Sequence, residues 1–158
     1  MKMDTLIVPL DGSTMAEGAL PRATEMARAT GARLILLRAV QAHTFPGADP
    51  IEAQVNAVRE AETYLTGVAE RLGALGVTDI KRSVWYGPAA AAIVEAANFN
   101  RADMIVMTTH GRTGVGRLVM GSVAESVLRG TTMPILIIRE AGAPVETPGG
   151  VVQVASHA

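Results

Sequence analysis

The chain has 158 residues, 49% of them hydrophobic and 18% charged, with a formal net charge of −1. One domain with its own core fits that length, and the near-neutral balance gives no general electrostatic reason to bind nucleic acid or an anionic membrane. The absence of cysteine excludes disulfides, thiolate chemistry and cysteine metal sites, and His43, His110 and His157 make no metal pattern.

Residues 6–10 read as a strand, ended by Pro9 and the turn Asp11-Gly12-Ser13. Thr14 and Glu17 have the spacing of a capping box, and Ala16, Ala19, Leu20, Ala23 and Ala27 give helical periodicity up to Gly31. Pro21 conflicts with that helix, because an interior proline costs about 3 kcal/mol, so a kink is expected there. Residues 34–40 form a second strand whose unbroken LILL centre suits burial on both faces of a parallel sheet.

A loop over 41–50 leads to a long amphipathic helix with Val58, Ala61, Leu65, Val68, Leu72 and Leu75 on one face and Gly76 as its cap. Residues 80–86 are a third, less apolar strand, suited to a place near the edge. Gly87-Pro88 opens an alanine-rich helix to about Phe99, and residues 104–108 form a fourth strand.

Then comes a glycine-rich basic loop with Gly111, Gly114, Gly116, Gly121, Arg112 and Arg117, followed by Ser122 and Glu125 at capping-box spacing. Strand, glycine loop and helix start together suit an anion: main-chain N–H groups can approach closely and the helix end is partly positive. Gly130 ends that helix and Pro134 introduces a last strand over 135–139.

Alternating strands and helices imply an α/β fold: a single doubly wound, five-stranded parallel sheet with four helices and strand order 3-2-1-4-5. Ligands in such sheets bind where the order reverses, here between strands 1 and 4. Residues 1–140 form the domain, and 141–158 a tail that is either flexible or docked on a partner. The longest apolar runs fall far below the roughly 18 residues of a membrane span, and no signal-peptide core is visible, so a cytoplasmic protein is expected.

The loop is neither a P-loop, since Gly116-RLVM-Gly121-Ser122 lacks the lysine, nor a dinucleotide fingerprint, since the first turn is Asp11-Gly12-Ser13. It resembles the universal stress protein family, whose ATP-binding members carry G-x-x-G, nine residues, then G-[ST]. Thr108-Thr109-His110-Gly111, nine residues, and Gly121-Ser122 occupy that frame. The family's typical IVPLDGS, Gly87-Pro88-Ala89 and SVAESVLRGTTMPILIIR segments are also present, so the resemblance runs in register over about residues 3–139.

That resemblance implies an adenine-nucleotide alpha-hydrolase-like fold and a site for ATP, with or without Mg²⁺, or for another adenine nucleotide. Adenine would sit near Pro9 and Asp11 and contact the backbone at Ala39. Ribose and phosphates would lie along Thr108, Thr109, His110, Gly111, Arg112, Thr113 and Gly114. The terminal phosphates would meet Ser122, Val123 and Ala124 beside Gly121. Thr108 departs from the motif glycine: its side chain either narrows the nucleotide's approach or supplies a compensating hydrogen bond.

Asp11 either caps its turn or binds ligand. His110 has no nucleophile or paired carboxylate beside it in sequence and suits a loop-shaping hydrogen bond. Arg112 and Arg117 are either solvated charges or phosphate partners. The apolar last strand, with Ile135, Leu136, Ile137 and Ile138, is a pairing hazard at a sheet edge. The resemblance implies that it joins two subunits; the alternative is that the tail covers it. The expected function is an ATP-binding regulatory homodimer with little or no turnover and a signalling partner the sequence does not identify. The alternative is an interaction module that has lost nucleotide binding.

Overall fold

A computed structural model of the chain describes residues 2–109, 120–142, 148–150 and 153. The elements run β1 (Thr5–Pro9), α1 (Thr14–Glu17), α2 (Leu20–Thr30), β2 (Arg33–Val40), α3 (Pro50–Ala74), β3 (Ile80–Tyr86), α4 (Ala89–Phe99), β4 (Met104–Thr109), α5 (Ser122–Gly130) and β5 (Ile135–Arg139). The strands form one parallel sheet in the order β3-β2-β1-β4-β5, as the sequence predicts. β1 begins and ends one residue earlier than the apolar run suggests, but Leu10 still donates to the Leu37 carbonyl at 2.8 Å.

Side chains alternate across the sheet, so the apolar strands feed two cores. Leu6, Val8, Leu34, Leu36 and Val106 pack with Ala23, Leu65, Val68 and Leu72 of α2 and α3. Ile7, Ile35, Leu37, Ile105 and Met107 pack with Ile93, Ala96, Ala97, Ala124 and Val127 of α4 and α5. On the predicted face of α3, Ala61, Leu65, Val68 and Leu72 are buried, whereas Leu75 lies beyond the helix end and is 59% exposed. Val77 donates to the Leu72 carbonyl and Gly76, at φ 91°, to that of Gly73. This left-handed closure places Val77 and Leu72 in the same core.

The segment after β1 corrects two expectations. The first helix is not one kinked rod: α1 ends at Gly18 and α2 starts anew, with Pro21 in its first turn. There proline's missing N–H costs nothing, which removes the expected kink. Ser13, not Thr14, caps α1, its hydroxyl accepting from the Ala16 N–H at 3.1 Å. Glu17 is therefore not a box partner; it accepts from the Tyr64 hydroxyl at 2.9 Å and from both terminal nitrogens of Arg71. At the far edge, every residue of β5 is half-buried, and among the described residues only one side of the strand is paired.

Candidate functional site

The carboxyl ends of β1 and β4 meet at the reversal of strand order, and a cavity of about 150 Å³ opens there. Of the residues singled out by sequence, Pro9, Asp11, Ala39, Thr108, Gly121, Ser122, Val123 and Ala124 all line it. Thr109 stands behind them, 4% exposed, its hydroxyl accepting from the Gly121 N–H at 3.2 Å and so tying β4 to the start of α5. His110, Gly111, Arg112, Thr113 and Gly114, with Gly116 and Arg117, lie outside the described residues.

The other described residues of the walls are apolar: Leu10, Met15, Ala16, Leu37, Ala89, Ile93 and Met107. Ala89 carried a signal, the Gly87-Pro88-Ala89 turn. The others are core-type residues that nothing in their sequence pattern separates from packing.

Asp11 both closes its turn and faces the cavity. Its Oδ1 accepts from the Ser13 N–H at 2.9 Å and from the Ser13 hydroxyl. Partial burial pushes the carboxyl's pKa up, but the Ser13 hydrogen bonds and the Arg38 charge outweigh it and hold it below the ordinary 3.8. The site therefore presents an ionised acceptor, suited to a ligand amine or hydroxyl.

The turn is propped from the α3 side. Gly12 sits at φ 89°, a left-handed conformation that favours glycine, and the Arg38 guanidinium packs against it, 2.6 Å from where a Cβ would stand. Arg38 in turn stacks on the Tyr64 ring at 5.0 Å. Burial and then the Glu17 carboxylate raise the Tyr64 hydroxyl's pKa, so this prop stays neutral at the phenol. Sequence reasoning missed Arg38; its place four residues into an apolar strand, near the strand's carboxyl end, was the available hint.

At α5 the expected capping box does not form. Gly121 is the cap residue, no side chain caps the helix, and Ser122 is already its first residue. The Glu125 N–H goes to the Gly121 carbonyl, and its carboxylate pairs with Arg129 at 2.6 Å. Among the described residues no side chain accepts from the main-chain N–H groups of Ser122, Val123 and Ala124, which begin the helix beside a cavity those residues line. That geometry, with the helix dipole behind it, suits an anion. The Thr108 hydroxyl is already used within the protein, donating to the Met15 carbonyl at 3.0 Å. Among the described residues no group of three or more His, Asp or Glu side chains could hold a metal, and no helix is long and apolar enough to cross a membrane.

The sequence model of the universal stress protein family matches residues 2–139. A universal stress protein of Staphylococcus aureus strain USA300 is 28% identical over 144 residues, covering 89% of this chain and 87% of its own. Among solved structures, a universal stress protein in complex with cAMP superposes with a TM-score of 0.72 at 25% identity, covering 89% of this chain and 100% of that one. The universal stress protein of Archaeoglobus fulgidus in complex with dAMP gives 0.59 at 18% identity, covering 87% and 98%. Matched in sequence from residue 2 to residue 139, and in fold over 89% of its length, this chain belongs to the universal stress protein family.

Proposed function

We propose that the chain is a homodimeric regulatory protein that holds an adenine nucleotide, ATP first among them, and turns it over slowly or not at all. The observation that carries this reading is the uncapped start of α5 facing the same cavity as the ionised Asp11. Amides suit the phosphate end, and a carboxylate suits the hydroxyl or amine end. The complexes of related proteins with cAMP and dAMP support an adenine nucleotide as the ligand class. Little turnover follows because the chain's only lysines, Lys2 and Lys81, are remote in sequence from the glycine loop, and phosphoryl transfer depends on positioned charge. His110, Gly111, Arg112, Thr113 and Gly114 belong to the proposed site through the family frame.

The half-buried apolar strand β5 supports the dimer: Ile135, Leu136, Ile137 and Ile138 would pair across a two-fold axis. The same reading treats residues 1–140 as the folded unit, residues 141–158 as a tail, and the cytoplasm as its location. Native mass spectrometry of the purified protein tests both parts at once. A particle of twice 16.5 kDa that retains, or takes up, one adenine nucleotide per subunit is expected. A monomer refutes the pairing, and failure to bind any adenine nucleotide refutes the site. The second reading, an interaction module without nucleotide, is favoured by Thr108 standing at the first motif glycine with its hydroxyl committed to Met15. If Thr108→Gly brings no gain in ATP affinity, that residue ceases to support it.

A further inference from the structure

Leu37 and Ala39 of β2 line the cavity, and Arg38 between them faces the other way, towards α3. Its guanidinium lies over the Tyr64 ring, 5.0 Å from the centroid. The same group packs against Gly12, its nearest nitrogen 2.6 Å from the place of a Cβ. A flat cation thus links a ring on α3 to the backbone that follows β1.

The turn it touches depends on such contacts. Asp11 and Gly12 are exposed, so burial does not fix them, and Gly12 has the conformational freedom of glycine. The Ser13 N–H and hydroxyl both donate to Asp11 Oδ1, so a rotation at Gly12 swings the carboxylate with them. α1 is anchored separately: Glu17 accepts from Tyr64 and Arg71, and the Met15 carbonyl accepts from Thr108. Those bonds hold the helix, whereas Arg38 bears on the turn itself.

Resting on the nucleotide reading above, we propose that Arg38 is a positioning residue. Lodged against the Tyr64 ring and Gly12, its guanidinium fixes the turn that presents the Asp11 carboxylate to the cavity, and so sets affinity for the nucleoside end of the ligand. The effect is bounded by the worth of the stack, equivalent to about three- to tenfold in affinity.

The test is calorimetric titration of adenosine and ATP against the wild-type chain, Arg38→Met, Tyr64→Leu and Tyr64→Phe, and of ATP against Asp11→Ala with and without Arg38→Met. Amide exchange at Ser13 is measured in the ligand-free proteins. Arg38→Met and Tyr64→Leu should each weaken adenosine and ATP alike, by about three- to tenfold. Tyr64→Phe keeps the ring and deletes only the bond to Glu17, so it should bind as the wild type does. With Asp11→Ala there is no carboxylate to place, and Arg38→Met should cost nothing further. An equal loss in that background, or none in the wild type, overturns the positioning role. A loss in Tyr64→Phe as large as in Tyr64→Leu overturns the stack, because the hold on α1 would then explain both. If the wild type binds neither adenosine nor ATP, the nucleotide reading falls. Ser13 exchange then still decides whether Arg38 fixes the turn: faster in Arg38→Met is expected, and unchanged overturns it.

Discussion

Two helices begin at the reversal point of the sheet, and they begin in opposite ways. At α1 the chain satisfies itself: Ser13 caps the Ala16 N–H, and Asp11 accepts from the Ser13 amide and hydroxyl. At α5 the cap residue is a glycine, and no side chain among the described residues takes up the first amides. The contrast gives the cavity a polarity, with an ionised carboxylate at the β1 end and a partly positive helix start at the β4 end. A ligand with hydroxyl or amine donors at one end and an anion at the other fits in one orientation only.

The strongest way to break the contrast is to give α5 the acidic cap it lacks. Gly121 sits at φ −57° and ψ 146°, a conformation any residue adopts, so Gly121→Asp should fold and gain a few tenths of a kcal/mol as a cap. Its carboxylate would occupy the amides and repel phosphate, and like-charge opposition of several kcal/mol predicts about a 100-fold or greater loss of nucleotide affinity. Titration calorimetry beside a thermal melt separates the two effects.

A milder break removes one donor without adding charge. Ser122→Pro puts proline at the first helical position, after a residue already in the extended region that proline requires. The melting temperature should hold, while affinity falls about tenfold or somewhat more, the worth of one hydrogen bond to a charged group. The complementary change acts on the closed end. Ser13→Ala should cost about 1 kcal/mol of stability, lowering the melting temperature by roughly 2–4 °C.

The smallest effect is a pH dependence. Asp11's folded pKa lies below its ordinary 3.8, so its contribution to stability is present above that value and fades as pH falls through the lowered one. Acid melts of Asp11→Asn should therefore lose less stability below pH 3.8 than the wild type, by a small margin because Asp11 is solvent-exposed.

The architecture was legible because it rests on period and burial. LILL in β2 can be apolar throughout only if both faces are covered, and β3, with Lys81 and Arg82 exposed, announces an edge. The place of the cavity followed from the strand order. The caps were not legible: Ser13 and Thr14 are adjacent hydroxyls, and only the length of the preceding turn decides which one stands outside the helix. Likewise, one residue separates Ser122 as a cap from Ser122 as the first helical residue, and that step converts a self-satisfied helix into an open one. Pro21 misled because the apolar spacing runs unbroken over Gly18, where the chain in fact restarts. Arg38 and Tyr64 come from distant segments, and their stacking behind Gly12 is a tertiary fact with no local trace.

The central claim is that main-chain amides at the start of α5 take the anionic end of the ligand. Residue-resolved hydrogen exchange with and without saturating ATP tests it most directly. Exchange at Ser122, Val123 and Ala124 should slow on binding, while the Ala16 amide, already held by Ser13, changes least. Saturation by ATP with the three α5 amides exchanging as fast as before would contradict the account.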